Sequence, residues 1–332
     1  MLGYWIDTVI GVLGLITSVL GLAISFVTIF FLTSWKDLNQ PISVCIVNLA
    51  ICDFLYCSMI MPFRSMKYLN IYSMEWMSDC QTNICQLVAF IRYLVGSVGW
   101  AIISVTALER YMNFKDSIGA RTTFRGRYAS YIIVALWVVL GIFYILPFYG
   151  KLGCFVYDPV RDQCDMKGGP HVFVFTALPL FITIVVGACH ILIRQEMSEI
   201  KEKWKREGIA IPSCRMKSRK QAVRTSFYVF VVPTVCYMPM VLANLLNTVY
   251  PGLLPQEVEM IFYLLYWQNY YLNIAIYIVR ISFYRKACAK ILQSVFPYFG
   301  YSPAVNQARS PCTPDRFINN QVGLVEYSRQ RF

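Results

Sequence analysis

Seven stretches of this 332-residue chain are long and apolar enough to dictate its fold: about 8–34, 42–63, 84–112, 129–149, 170–194, 222–247 and 258–280. A helix crossing the hydrocarbon of a bilayer needs roughly 20 mostly apolar residues. Backbone groups in lipid find no water, so they must be satisfied within helices. The pattern predicts an all-α membrane protein, a seven-transmembrane helix bundle, with each helix apolar almost all round. Composition points the same way: 57% of residues are hydrophobic and 14% charged, against roughly 25% charged in soluble domains. A soluble enzyme or a disordered scaffold is excluded, because too few charges are available to coat a water-facing surface. The first stretch has no basic segment before it and no small-residue cleavage site after it. It is also too long for a signal-peptide core, so it is expected to remain as a span.

The net charge of +12 could suggest nucleic acid, but the charges sort by side. With the N-terminus outside, the inner segments hold 24 Lys and Arg against 9 Asp and Glu, and the outer segments 5 against 8. Lys and Arg in short loops favour the cytoplasm, which predicts the N-terminus extracellular and the C-terminus inside, in the plasma membrane. The basic residues then form a cytoplasmic layer beside anionic membrane lipids, and no nucleic acid partner is expected. Two charges, Asp53 and Arg92, lie inside spans. Intramembrane charges are costly and mark functional sites by default.

The chain divides into an extracellular N-terminus (1–7), a seven-helix domain (8–280), a membrane-surface helix (281–294) and a cytoplasmic tail (295–332). In the third part Phe283, Tyr284, Cys288, Ile291 and Leu292 share one face, with Arg285, Lys286 and Lys290 on the rest. That is the pattern of an interfacial amphipathic helix. The tail is polar and carries Pro303, Pro311 and Pro314, a composition that disfavours a packed core. The longest inner loop, about 195–221, holds Lys201, Lys203, Lys205, Arg206, Arg215, Lys217, Arg219 and Lys220. It fits lipid contact and the docking of an acidic cytoplasmic partner.

Short motifs occur one per span, in order. They are Asn48 to Asp53 (NLAICD), Glu109-Arg110-Tyr111, Trp137, Pro179, Cys236-Tyr237-Met238-Pro239, and Asn273-Ile274-Ala275-Ile276-Tyr277. As a set they resemble the rhodopsin-like (class A) G-protein-coupled receptors, over roughly residues 8–292. The resemblance implies a receptor whose partners are a heterotrimeric G protein, arrestin, membrane lipids, and a small-molecule, lipid or peptide ligand. Arg110 would pair with Glu109 at rest and face a G-protein helix when active. Tyr277 and Ile118 would share that inner interface. Asp53, Pro239 and Asn273 would transmit the signal, since Pro179 and Pro239 leave carbonyls unbonded and give spans hinges. Ser302, Ser310, Thr313 and Ser328 are candidate kinase sites for arrestin-type regulation.

Four cysteines fall on the outer side, Cys80, Cys85, Cys154 and Cys164, and four cysteines allow three connectivities. Cys85 lies 25 residues before Arg110, matching the family's third-span cysteine. The resemblance therefore implies a Cys85–Cys164 disulfide, with Cys80–Cys154 as a weaker second pair.

Two further features look like melatonin receptors and their invertebrate orphan relatives: the YDP-x4-C segment from Tyr157 to Cys164, and the seventh-span motif with Ile274 in place of proline. Ser117-Ile118 also resembles their inner loop. Tyr149 and Gly168 stand where residues that hold melatonin are expected, so that ligand is not carried over.

The family pattern is broken at several positions. Tyr237 replaces the usual span-six Trp, Pro233 adds a second proline, and Gly187 replaces the inner Tyr of span five. Ser25 stands for the usual Asn of span one and Gly99 for a frequent Ser. The last two remove ligands from the family's sodium site at Asp53, so no metal is expected. Arg92 replaces the Asp that holds biogenic amines. An Arg there suits a carboxylate or phosphate, bound bidentately, or an internal ion pair with Glu259 or Asp165. Arg92, Tyr237, Tyr263 and Trp267 are the expected ligand-binding residues, with Tyr263, Trp267 and Tyr270 on one helix face. Trp267 also occupies the retinal-lysine position of opsins. No nucleophile–base pair, metal cluster or phosphate loop is present, so no enzyme and no cofactor is expected. The rival readings are an atypical non-signalling scavenging or adhesion protein, and a membrane transporter.

Overall fold

The computed structural model describes residues 2–34, 41–69, 71, 83–115, 126–149, 153–158, 163–167, 171–206, 213–250 and 253–280. Its helices are α1 (Leu2–Ser34), α2 (Pro41–Leu55), α3 (Met61–Tyr68), α4 (Asn83–Lys115), α5 (Gly126–Ile145), α6 (His171–Arg206), α7 (Ser213–Val249) and α8 (Gln256–Arg280). A π-helical turn, Tyr56–Ile60, joins α2 and α3 into one span, and a 3-10 turn, Leu146–Tyr149, ends α5. The result is the expected seven-helix bundle.

Among the described residues, six helical spans are long and apolar enough to cross a membrane. α8 falls short of that apolarity because Glu257, Glu259, Gln268, Asn269 and Asn273 interrupt it. It nonetheless packs along α7 and α1 within the bundle, which buries Asn273 and half-buries Glu259, Gln268 and Asn269, while Glu257 in the first turn stays exposed. Large apolar side chains such as Val12, Ile16, Val134, Val138, Ile142, Ile184 and Ile191 point outward, as a lipid-facing surface requires.

Several boundaries differ from the sequence expectation. α6 runs on to Arg206 and α7 starts at Ser213, so most of the basic inner loop is helix. The segment EMSEIKEKWKR is rich in Glu and Lys, which are good helix formers once the chain leaves lipid. α1 likewise starts at Leu2, so residues 2–7 form its first turns. Residues 281–332, with the proposed surface helix and tail, lie outside the described residues, as do Cys80 and Ile118.

One end of the bundle is closed by an antiparallel hairpin, β1 (Cys154–Asp158) and β2 (Gln163–Lys167), in the register Cys154↔Lys167 to Asp158↔Gln163. A disulfide joins Cys85 of α4 to Cys164 of β2, with Cα atoms 5.3 Å apart. Beneath the hairpin, Ala89, Tyr93, Tyr144, Phe155 and Met166 form a small apolar cluster around that bond. Phe155 packs edge-on against Phe148, with ring centroids 5.3 Å apart. The main core runs through α2, α4, α7 and α8.

Candidate functional site

α4 carries Arg92 and Tyr93 two turns below Cys85, facing the underside of the hairpin. The Tyr93 hydroxyl donates to the Asp165 carboxylate, which also accepts from the Met166 backbone N–H at 2.9 Å. Arg92 donates through Nη1 to the Cys164 carbonyl at 3.3 Å. Asp165 is the acid whose charge acts on Arg92. Asp165, one of the two acids considered from sequence, sits on the strand that the disulfide holds over α4, next to the Cys164 carbonyl that Arg92 meets. Arg92 is buried, at 8% exposure, and has several donors left for another acceptor.

Below lies a floor of tyrosines. Tyr237 of α7 packs between Trp100 and Tyr266, at centroid distances of 5.1 and 5.2 Å. Tyr266 and Tyr270 share a hydroxyl–hydroxyl hydrogen bond. Tyr56 stacks on Tyr270 at 3.9 Å and meets Tyr266 edge-on at 5.7 Å. Such aromatic pairs add roughly 0.5–1.5 kcal/mol each beyond area burial.

The expected face of α8 is divided by its neighbours. Tyr263 lies under the Arg64 guanidinium, whose Cζ is 3.4 Å from the ring centroid. Trp267 turns toward α1 and α3 instead of Tyr237. It is fully buried, meets Tyr68 at 6.4 Å, and lies where any Cβ on Gly14 would come within 2.6 Å. Tyr266 takes the place beside Tyr237 that sequence spacing left open.

Arg64, Tyr56 and Tyr93 were not singled out from sequence. A signal for Arg64 exists: it lies eleven residues after Asp53, about three turns of regular helix. The π turn at Tyr56–Ile60 hides it by inserting an extra residue, which rotates the remainder of the span by roughly 100°.

Toward the opposite end, Asp53, Asn273 and Ser25 are all buried. Asp53 Oδ2, Ser25 Oγ, Asn269 Oδ1 and both amide atoms of Asn273 have no hydrogen-bond partner among the described residues. Buried polar atoms of this kind are normally satisfied by water or an ion. A Cβ on Gly99 would meet only Leu49, at 3.9 Å, so α4 offers no side-chain oxygen at that position. No cluster of His, Cys, Asp or Glu suited to a metal occurs among the described residues. Asn48 accepts from Trp137 Nε1 at 3.4 Å, tying α2 to α5.

Pro239 lies inside α7 with Pro233, and Pro179 inside α6. At Gly187, a Cβ would touch only Phe230, at 3.9 Å. His190, one turn on, stacks against Phe230 at 5.4 Å and fills the α6–α7 contact. Glu109 is buried and Tyr111 half-buried at this end of α4. The side chains of Arg110, Ile274 and Tyr277 lie outside the described residues. So does Cys80, the proposed partner of Cys154.

The geometry agrees with comparison to known proteins. The family model described as "7 transmembrane receptor (rhodopsin family)" matches residues 25–277. The chain therefore belongs to the rhodopsin family of seven-transmembrane receptors, a multi-pass membrane family of G-protein-coupled receptors. It is 27% identical over 226 residues to a rhodopsin of Cambarus maculatus, covering 64% of this chain and 70% of that protein. It is 22% identical over 221 residues to G-protein coupled receptor 84 of Bos taurus, covering 64% of this chain and 54% of the relative. With a Gq-coupled rhodopsin of Mizuhopecten yessoensis it shares 22% over 193 residues, covering 56% of this chain and 38% of that one. The match thus spans only about half or less of the last two. The fold is that of squid rhodopsin, with a TM-score of 0.71 at 16% identity, over 88% of this chain and 87% of the other.

Proposed function

We propose that this receptor sits in the plasma membrane with its N-terminus outside and transduces an extracellular acid-bearing small molecule or lipid to a heterotrimeric G protein. The observation that carries the ligand class is Arg92: a buried guanidinium under the hairpin, above the tyrosine floor. A cation in an apolar, water-poor site favours an anion strongly, since electrostatic terms grow as dielectric falls. Concave apolar pockets with a few polar groups are the usual small-ligand sites. Tyr237 and Tyr263, both buried, are the aromatic residues assigned to this site, and Trp267 is assigned a supporting place against α1 and α3.

Ligand binding shifts a pre-existing equilibrium toward an open cytoplasmic face. Tyr237 and Pro239 on α7, with Asp53 and Asn273, carry the change inward. Glu109, Arg110, Tyr111, Ile118 and Tyr277 meet the G protein, and tail phosphorylation recruits arrestin. The likeness to melatonin receptors rests on the Tyr157–Cys164 segment and Ile274 and supports no ligand. α8 holds Trp267 and no lysine, which speaks against retinal.

A non-signalling scavenging or adhesion role is the second reading. It is favoured by Tyr237, Pro233, Gly187 and Ile274. A G-protein activation assay on the expressed chain separates the two. Basal signal that disappears in Arg110→Ala supports the receptor. No basal signal, and none evoked over a panel of acidic lipids and peptides, supports the second reading. Arg92→Ala should abolish the response to an acidic ligand; unchanged potency sinks the ligand class.

A further inference from the structure

His190 of α6 is a buried titratable group that the proposed signalling route does not use. It is 3% exposed, and neither ring nitrogen has a hydrogen-bond partner among the described residues. A neutral imidazole carries one donor and one acceptor. Leaving both unmet in a core is a cost that an apolar ring would not incur. α7 supplies the surroundings. Phe230 stacks on the imidazole with centroids 5.4 Å apart, and Phe227, one turn earlier, meets it edge-on at 5.7 Å. Gly187 precedes His190 by three residues and Arg194 follows it by four, so the three share one face of α6. The Arg194 guanidinium lies over Phe227, with Cζ 4.5 Å from the ring centroid.

This contact lies where the two helices are free to part. Phe227 and Phe230 precede both Pro233 and Pro239 in α7, and His190 follows Pro179 in α6. Bending at those prolines changes the helix separation most on the inner side, where His190 sits. Among the described residues, the other titratable groups at this level are Cys189 and Arg194 on α6, and Arg224 and Tyr228, both exposed, on α7. α4, which also packs on α6, brings Glu109 and Tyr111. Arg194 opposes a second positive charge within the closed packing. We propose that His190 is a proton-operated switch for the parting of α6 and α7, neutral when they are packed and protonated when they open. This rests on the opening motion proposed above. Packed between phenylalanines, the ring has no acceptor for a second N–H. Parted, it meets water and takes a proton near the ordinary histidine value of about 6.5. The open state then binds the extra proton, so acid favours opening. The open-to-closed ratio should rise about twofold from pH 8 to pH 6.5, and about tenfold from pH 8 to pH 5.5.

The test uses the full chain in nanodiscs of neutral phosphatidylcholine. Opening is read from amide hydrogen exchange in the inner half of α7, residues 225–232. Variants are compared with the parent at the same pH, so the intrinsic chemistry of exchange cancels. His190→Phe keeps the ring stack and removes the titration; His190→Gln serves if that variant does not fold. The chain has two histidines, and the other, His171, opens α6 at its far end, so His171→Gln is the control. Relative to His190→Phe, exchange in the parent and in His171→Gln should rise about tenfold from pH 8 to pH 5.5. The inference is overturned if that ratio does not change with pH, which leaves any acid-driven opening to Glu109. It is also overturned if His171→Gln abolishes the effect. G-protein activation measured on the same samples separates the two readings. Opening that depends on His190 without activation keeps the switch and sinks the signalling receptor. Activation with no His190-dependent opening keeps the receptor and sinks the switch.

Discussion

Tyr93 shows how much can rest on one hydroxyl. It reaches from α4 to the Asp165 carboxylate, and its ring lies 6.2 Å from Phe155 in β1. Removing the hydroxyl leaves a buried carboxylate with fewer donors, at a cost of about 1–3 kcal/mol. Tyr93→Phe is expected to lower the melting temperature of the purified receptor, measured in detergent, while Tyr149→Phe, at an exposed position, should leave it unchanged. Equal melting of Tyr93→Phe and the parent chain would show that the latch contributes nothing.

Helix α1 docks through close backbone approach. A Cβ at Gly14 would come within 2.2 Å of Ser65 Oγ and 2.6 Å of Trp267. Gly21 meets Cys57 at 2.4 Å in the same sense. Gly14→Ala should therefore destabilise by about 1–3 kcal/mol, as overpacking does. Gly141 of α5 has nothing within 4 Å of its Cβ position. Gly141→Ala should be neutral or stabilise by up to about 1 kcal/mol through helix propensity. Thermal melts of the pair check both signs, and a neutral Gly14→Ala would refute the close approach. In α7, Pro239→Ala restores a backbone bond and should raise the melting temperature, with a ceiling of ~3 kcal/mol. It should also reduce basal G-protein activation by removing the hinge; unchanged activation would clear Pro239 of that role.

The hairpin and its disulfide unite the molecule. Cys85 and Cys164 are 79 residues apart in sequence, and closing so long a loop stabilises by roughly 2–5 kcal/mol. The bond also places Asp165 over Arg92. Cys85→Ser with Cys164→Ser should lower the melting temperature and weaken binding of acidic amphiphiles together. If binding survives while stability falls, the hairpin is a brace and takes no part in the site.

The seven spans were legible in the sequence because hydrocarbon imposes a length and a polarity that no other solvent imposes. The family motifs fixed which helix carries Asp53, Glu109 and Pro239, and the cysteine spacing marked Cys85. What the sequence left open was azimuth. Helical spacing grouped Tyr263 with Trp267, but Gly14 admits Trp267 against α1, while Tyr266 faces Tyr237. The turn at Tyr56–Ile60 re-aims everything beyond it on that span, Arg64 included. Hydropathy reports depth in the membrane, so sequence determined the spans and the depth of each charge. Only packing of helix on helix decided which way each side chain faces, and so set Tyr266 beside Tyr237 and Trp267 against α1.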